Sequence, residues 1–245
     1  TLFPLRRTPW LRNRPQSSPK TFGITFYNNQ LQDSLHDNSL LDKITAKVDP
    51  QATGKMWWLT AIMVAIVVVD QIIKIYVKTH FYLGEDVEWT SWMHIKFIEN
   101  SGMAMGMNFI PKIALTLGRI AAVCVLAWAM NRLCRLRDLG RGFLVTMALI
   151  TAGAAGNIFD CVFYGQIFNN PLPPQVAEMF PPDGGYAPWF HGRVVDMFYF
   201  PIADWYWPEW MPFVGGQYCE FFSYIFNFAD ASICVGVAML LLFFR

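Results

Sequence analysis

Phe226-Asn227-Phe228-Ala229-Asp230-Ala231-Ser232 places a carboxylate in the first third of an apolar run that extends from Phe221 to Phe244. A run of that length can cross a bilayer, whose hydrocarbon core takes about 20 apolar residues of helix. A charge in hydrocarbon costs roughly 3 kcal/mol or more, so an acidic residue there either faces the protein interior and works, or is satisfied by neighbouring helices. At about 1.5 Å per residue, Asp230 would lie roughly 13 Å along such a helix. A second carboxylate in similar company lies shortly upstream, in His191-Gly192-Arg193-Val194-Val195-Asp196-Met197-Phe198. Two carboxylates in one dry site can share a proton and activate a water.

Three further runs have the same character. Met56 to Val69 is continuously apolar apart from Thr60, and the run closes at Val77. Asp70 and Lys74 fall within it one turn apart, on one face, as an ion pair at the membrane interface or as the lining of a polar cavity. Ile113 to Met130 carries Arg119 about two turns in, directed into the bundle or snorkelling outward. Gly142 to Val162 holds the small residues Ala152 to Gly156, which permit close helix packing, and then Asn157 and Asp160 on one face. Arg132, Arg135, Arg137 and Arg141, between the second and third runs, mark a cytoplasmic side. The basic residues ahead of Met56 and the terminal Arg245 agree. The expected fold class is an all-α integral membrane protein with four transmembrane helices and an extracytoplasmic loop region containing some β structure. Residues 1–55 read as a flexible cytoplasmic tail without the apolar segment of a secretory signal, and residues 56–245 as the membrane domain.

Composition removes other classes. An apolar share of 54% with 16% aromatics is high for a soluble protein. A net charge of +1 provides no basic surface for nucleic acid. The five cysteines are scattered without CxxC or metal-finger spacing, and the four histidines lack HExxH spacing. No metal and no cofactor is therefore expected. Cys124, Cys161 and Cys234 lie in apolar runs and read as buried small hydrophobes. There is no internal repeat, which argues against a repeat-built transporter.

The topology comes from arginine placement and apolar runs alone, yet it brings Asp70, Asn100, Asn157, Asp160, Asp196, Asn227 and Asp230 to the outer face together. Asn100 opens a stretch in which Gly102, Ala104 and Gly106 alternate with methionine, the pattern of an extended segment that another backbone can approach closely. Trp89, Trp92 and Phe97 in one outer loop, and Trp189, Trp205, Trp207 and Trp210 in the other, suit the headgroup level.

Five ordered stretches carry a family resemblance: Asp70-Gln71-Ile72-Ile73-Lys74, Asn100-Ser101-Gly102-Met103-Ala104, Gly153-Ala154-Ala155-Gly156-Asn157-Ile158-Phe159-Asp160, Gly192-Arg193-Val194-Val195-Asp196-Met197 and Phe226-Asn227-Phe228-Ala229-Asp230. Over residues 56 to 244 the chain resembles lipoprotein signal peptidase, the four-helix membrane aspartic peptidase also called signal peptidase II. The resemblance implies that Asp196 and Asp230 form the catalytic pair. It further implies that Asn100, Gly102, Ala104, Asn157 and Asn227 bind substrate, and that Asp70, Lys74, Asp160, Arg193 and Ala229 support the site. The implied substrate is a diacylglyceryl-modified prolipoprotein, cut just before its lipidated cysteine by a monomer in the bacterial inner membrane, in contact with membrane lipid and active near the extracytoplasmic face. Three positions depart from the family pattern. Cys161 follows Asp160 where an arginine is usual, so the cation expected there is either missing or supplied from elsewhere, by Arg119 or Arg193. Met105 stands where phenylalanine is frequent, and the loop from Tyr164 to Gly192 is long and proline-rich. Two other classes remain open on the residues alone. A small ion- or proton-coupled transporter would spread its charges across the membrane, and in a non-catalytic scaffold the aspartates would only lock helices.

Overall fold

A computed structural model of the chain describes residues 50–101, 111–136 and 139–244; Gly102, Ala104 and all but the last few residues of the amino-terminal tail lie outside them. Within the described residues, three helices are long and apolar enough to cross a membrane: α1 (Ala52–His80), α2 (Lys112–Cys134) and α3, which begins at Arg141 and continues to Ile167. A fourth, α4 (Phe228–Phe243), is apolar but has 16 residues. The apolar runs locate all four because most of each helix faces outward. Val64, Ile72, Leu117, Val125 and Leu241 are exposed, as residues turned to hydrocarbon would be. α1 outlasts its apolar run through Lys78 and His80; the Lys78 charge suits the carbonyl end of a helix.

α3 is the central helix, packed on α1, α2 and α4. Its small residues set the closest approach. A Cβ on Gly153 would come within 2.3 Å of the Ala229 carbonyl oxygen, so α4 lies against bare backbone. At the opposite end of the bundle Leu59, Met130, Cys134, Leu144 and Ala148 form a buried cluster joining α1, α2 and α3.

The connections at the other end build a sheet. β1 (Asp86–Thr90) and β2 (Met93–Asn100) form a hairpin, β3 (Val194–Tyr199) pairs antiparallel with β2, and the short β6 (Ile225–Phe226) pairs with β3. A separate hairpin, β4 (Ala203–Tyr206) and β5 (Tyr218–Phe221), stands between β3 and β6 in the chain. Val77, Phe97, Tyr164, Phe168, Val195 and Met197 are buried together between the sheet and the ends of α1 and α3.

α3 loses α-helical spacing at Asp160–Tyr164, a π-helical turn, before a last turn at Gly165–Ile167. The Cys161 carbonyl there accepts from Gly192 N at 2.8 Å, and the Val162 carbonyl accepts from Phe190 N at 3.2 Å. A Cβ on Gly192 would sit 2.1 Å from the Asp160 carbonyl oxygen, so this approach demands glycine. The segment leading into β3 is thus fastened to the widened helix.

Two expectations are corrected here. The fourth apolar run is not helical from Phe221: Phe221 ends β5, Ile225–Phe226 is strand, and Asn227 is the N-cap, so Asp230 lies in the first turn of α4. Cys124 and Cys234 are exposed on helix surfaces and are not buried like Cys161, because an apolar side chain in a spanning helix gains nothing by leaving hydrocarbon.

Candidate active site

Four elements meet at the sheet end of the bundle. The last third of α1 supplies Asp70, Gln71 and Lys74, all buried. α3 supplies Asn157 and Asp160, β3 supplies Asp196, and the first turn of α4 supplies Asn227, Ala229 and Asp230.

Lys74 is the hub of the inner layer. Its Nζ lies 2.9 Å from Asp70 Oδ2 and 2.7 Å from Asp160 Oδ2, and it donates to Asn157 Oδ1 at 2.8 Å. Gln71 Nε2 bridges the same two carboxylates, at 3.1 Å from Asp70 and 2.8 Å from Asp160, and its carbonyl accepts from the Tyr164 hydroxyl at 2.9 Å. The second Asp70 oxygen accepts from Ala229 N at 2.9 Å, at the start of α4, where the helix dipole favours a negative charge. Asp160 Oδ2 also accepts from Val195 N at 3.4 Å, tying α3 to β3 beside Asp196. Burying three charges is tolerable only when each has close partners. Among the described residues Thr90 Oγ1 alone is a buried side-chain N or O without one.

The outer layer joins Asp196 to Asp230 through two amides. Asn227 Nδ2 donates to Asp196 Oδ1 at 2.6 Å and to Asn157 Oδ1 at 3.1 Å; Asn157 Nδ2 donates to Asp230 Oδ1 at 2.7 Å. Asn227 Oδ1 meanwhile accepts from Asp230 N at 2.9 Å, the N-cap bond of α4. Asp196 is 3% exposed, whereas Asp230 is partly open. Burial and the neighbouring Asp230 charge push the Asp196 carboxyl up to about 7, against hydrogen bonds from Asn227 and Asn100 that favour its charged form. Such a pair can hold a single proton at neutral pH.

The residues expected at the site therefore converge, except Gly102 and Ala104, which lie outside the described residues. Asn100 ends β2 within reach of Asp196. Asp70 and Lys74 are a buried pair shared with a second carboxylate, Asp160, more enclosed than a pair at the membrane interface. The cation beside Asp160 is Lys74; neither arginine reaches it. Arg119 Nη1 instead donates to Cys161 Sγ at 3.3 Å, and Arg193 Nη1 pairs with Glu99 at 2.9 Å. Gln71, Tyr164 and Glu99 were not anticipated. Gln71 adjoins the Asp70–Lys74 pair and its amide can span two acceptors, a signal available in the sequence; nothing local marks Tyr164. Glu99 also holds the buried Lys78.

The chain was compared with known proteins. A family model described as signal peptidase (SPase) II matches residues 62–245. A lipoprotein signal peptidase from Porphyromonas gingivalis is 46% identical over 181 residues, 74% of this chain and 80% of that protein. One from Amoebophilus asiaticus is 32% identical over 196 residues, 78% of each chain. A solved bacterial membrane enzyme, 21% identical, superposes with a TM-score of 0.51 over 75% of this chain and 85% of its own, a likeness of fold alone.

Proposed function

The chain belongs to the signal peptidase II family, and from that premise we propose that Asp196 and Asp230 are its hydrolytic pair. Its activity is that of an aspartic endopeptidase removing signal peptides from lipoproteins, with the cut falling just before the diacylglyceryl-modified cysteine. The observation that carries the residue assignment is the unbroken hydrogen-bonded path Asp196–Asn227–Asn157–Asp230 in a largely buried site.

In this reading the pair enters the reaction with one proton, held on the hidden Asp196. Asp230, more open, takes a proton from water as that water's oxygen bonds to the scissile carbonyl carbon. Asp196 gives its proton to the carbonyl oxygen, which yields a neutral gem-diol and leaves Asp196 ionised. As the C–N bond breaks, the proton gained by Asp230 passes to the departing amine, and a gem-diol hydroxyl returns its proton to Asp196. The pair is restored with one proton. Asn157 and Asn227 hydrogen-bond the substrate backbone or hold the carboxylates at fixed orientation, Asn100 offers an amide to the site, and the small residues Gly102 and Ala104 would leave room for the lipid-bearing segment. Lys74, Asp70, Asp160 and Ala229 brace the floor, and Arg193 with Glu99 its edge.

We place the site at the extracytoplasmic face of the inner membrane, with α4 as a fourth span and both termini cytoplasmic. The arginines between α2 and α3 support this, because that connection lies at the far end of the bundle. Residues 56–245 form the peptidase domain behind a cytoplasmic tail of residues 1–55, and the protein acts as a monomer surrounded by lipid. Cleavage of a lipidated prolipoprotein by purified protein in detergent tests the assignment. Wild type is expected to cleave, and folded Asp196→Asn and Asp230→Asn variants are not. Turnover retained by either variant would remove that residue from the pair.

A further inference from the structure

A cavity of about 520 Å³ lies between the outer end of α1 and the underside of the β1–β2 hairpin. That volume is within the range of sites that enclose small molecules, about 300–1,000 Å³. Its walls include Ile73, Tyr76 and Phe81 from α1 and its cap, Val87 and Trp89 from β1, and Phe198 from β3. Glu88 is the one charged residue of the lining; the other lining residues are apolar or aromatic. Tyr76, Val87 and Trp89 are exposed at its rim, next to Ile72 on the lipid-facing side of α1, so the cavity is continuous with the surface turned to the bilayer.

One lining residue, Phe198, stands close in the chain to the proposed hydrolytic pair. Phe198 and Asp196 are two residues apart on β3 and so share a face of the sheet, about 7 Å apart along the strand. The irregularity in the β2–β3 pairing, between Ile95 and Ile98, is one extra residue on the β2 side, where the partners of Phe198 and Asp196 are three positions apart instead of two. A substrate cut just before its lipidated cysteine carries its lipid on the residue whose nitrogen is released, a few bonds from the attacked carbonyl. With that carbonyl at Asp196, a chain leaving the glyceryl group meets the cavity first and the bilayer beyond it.

We propose that this cavity holds one acyl chain of the substrate's diacylglyceryl group, making Phe198 and the α1–β1 walls determinants of acyl-chain specificity. The proposal rests on the peptidase reading above. It predicts that rate depends on chain length, because each methylene buried raises affinity roughly threefold to fourfold.

Synthetic lipopeptides bearing two hexadecanoyl or two hexanoyl chains, presented in the same detergent, would be given to wild type, Val87→Trp and Trp89→Ala. Val87→Trp fills the cavity and Trp89→Ala removes a wall; both positions are exposed, and unchanged thermal unfolding confirms that each variant folds. For Val87→Trp we expect a loss of about tenfold or more in kcat/KM on the hexadecanoyl substrate, no change on the hexanoyl one, and for Trp89→Ala a smaller loss with the same bias. Equal losses on both substrates, or none, would overturn the proposal. So would native mass spectrometry showing a bilayer phospholipid carried by wild type and lost from Val87→Trp while the chain-length preference stays unchanged. Failure of wild type to cleave either substrate would strike the peptidase reading, whereas cleavage indifferent to chain length strikes the acyl pocket alone.

Discussion

Asn227 performs two tasks that substitution can separate. Its oxygen caps α4 at 2.9 Å, and its amide nitrogen donates to Asp196 at 2.6 Å. Losing a cap costs about 1 kcal/mol and up to roughly 2; losing a hydrogen bond to a charged group, which Asp196 is above about pH 7, costs roughly 1.5–3 kcal/mol. Asn227→Ala forfeits both, roughly 2.5–5 kcal/mol together, which lowers the unfolding midpoint of a domain this size by on the order of 10 °C. With Asp196 no longer held, loss of orientation costs about 100-fold in kcat. Asn227→Asp keeps the cap, since Asp and Asn are equally good there, but has no donor while ionised. Once protonated it regains an O–H donor. The assay is kcat against pH for wild type, Asn227→Ala and Asn227→Asp, with unfolding midpoints measured alongside. Activity of Asn227→Asp relative to wild type should climb as pH falls, while that of Asn227→Ala stays uniformly low. Parallel pH profiles for the two variants, or wild-type kcat in Asn227→Ala, would refute the claim that this amide orients Asp196.

Other outcomes follow from the same geometry. The Asp196 carboxyl is raised to about 7, so its proton is present below that pH and lost above it; kcat should fall as pH rises through 7, and a flat profile there would contradict the shared-proton reading. Because the folded form binds that proton more tightly than the unfolded chain, the group's contribution to stability also declines between about pH 4 and 7, visible as a falling unfolding midpoint. Lys74→Met strands Asp70 and Asp160, and should cost roughly 3–5 kcal/mol; a variant with Asp70→Asn and Asp160→Asn added should recover much of that midpoint, whereas a still lower one would contradict the charge argument. Gly153→Ala drives a Cβ toward the Ala229 carbonyl at 2.3 Å and should cost roughly 1–3 kcal/mol, with loss of activity as the first turn of α4 shifts. Gly118→Ala, whose Cβ would meet nothing within 4 Å, serves as the control and should be neutral or stabilising by up to about 1 kcal/mol.

Much of this arrangement was legible in the sequence because the bilayer imposes long apolar runs and makes each interruption meaningful. Asp70 and Lys74 announced their pairing by i,i+4 spacing, and Asp196 and Asp230 stood out against apolar neighbours. The start of α4 was not legible from hydropathy, since Phe221 to Phe226 is as apolar as the helix that follows. Aromatic residues also suit strands, and pairing with β4 and β3 takes this segment out of the helix. The cation beside Asp160 is not legible from the family pattern, which points to an arginine; the i,i+4 spacing of Lys74 links it to Asp70 and says nothing of a carboxylate 86 residues further along the chain. Tyr164 meets Gln71 across 93 residues of chain, a contact that no local pattern encodes. The exposed Cys124 and Cys234 show the ordinary burial rule losing its force where the surroundings are hydrocarbon.

The widened turn at Asp160–Tyr164 also sets a register. Its carbonyls at 161 and 162 receive residues 192 and 190, so the strand bearing Asp196 is indexed to α3 itself. Asp230 lies further along the chain, and the residue that caps its helix, Asn227, also holds Asp196. On the proposed reading, a copy that stops short of α4 has one carboxylate of the two and should hydrolyse nothing.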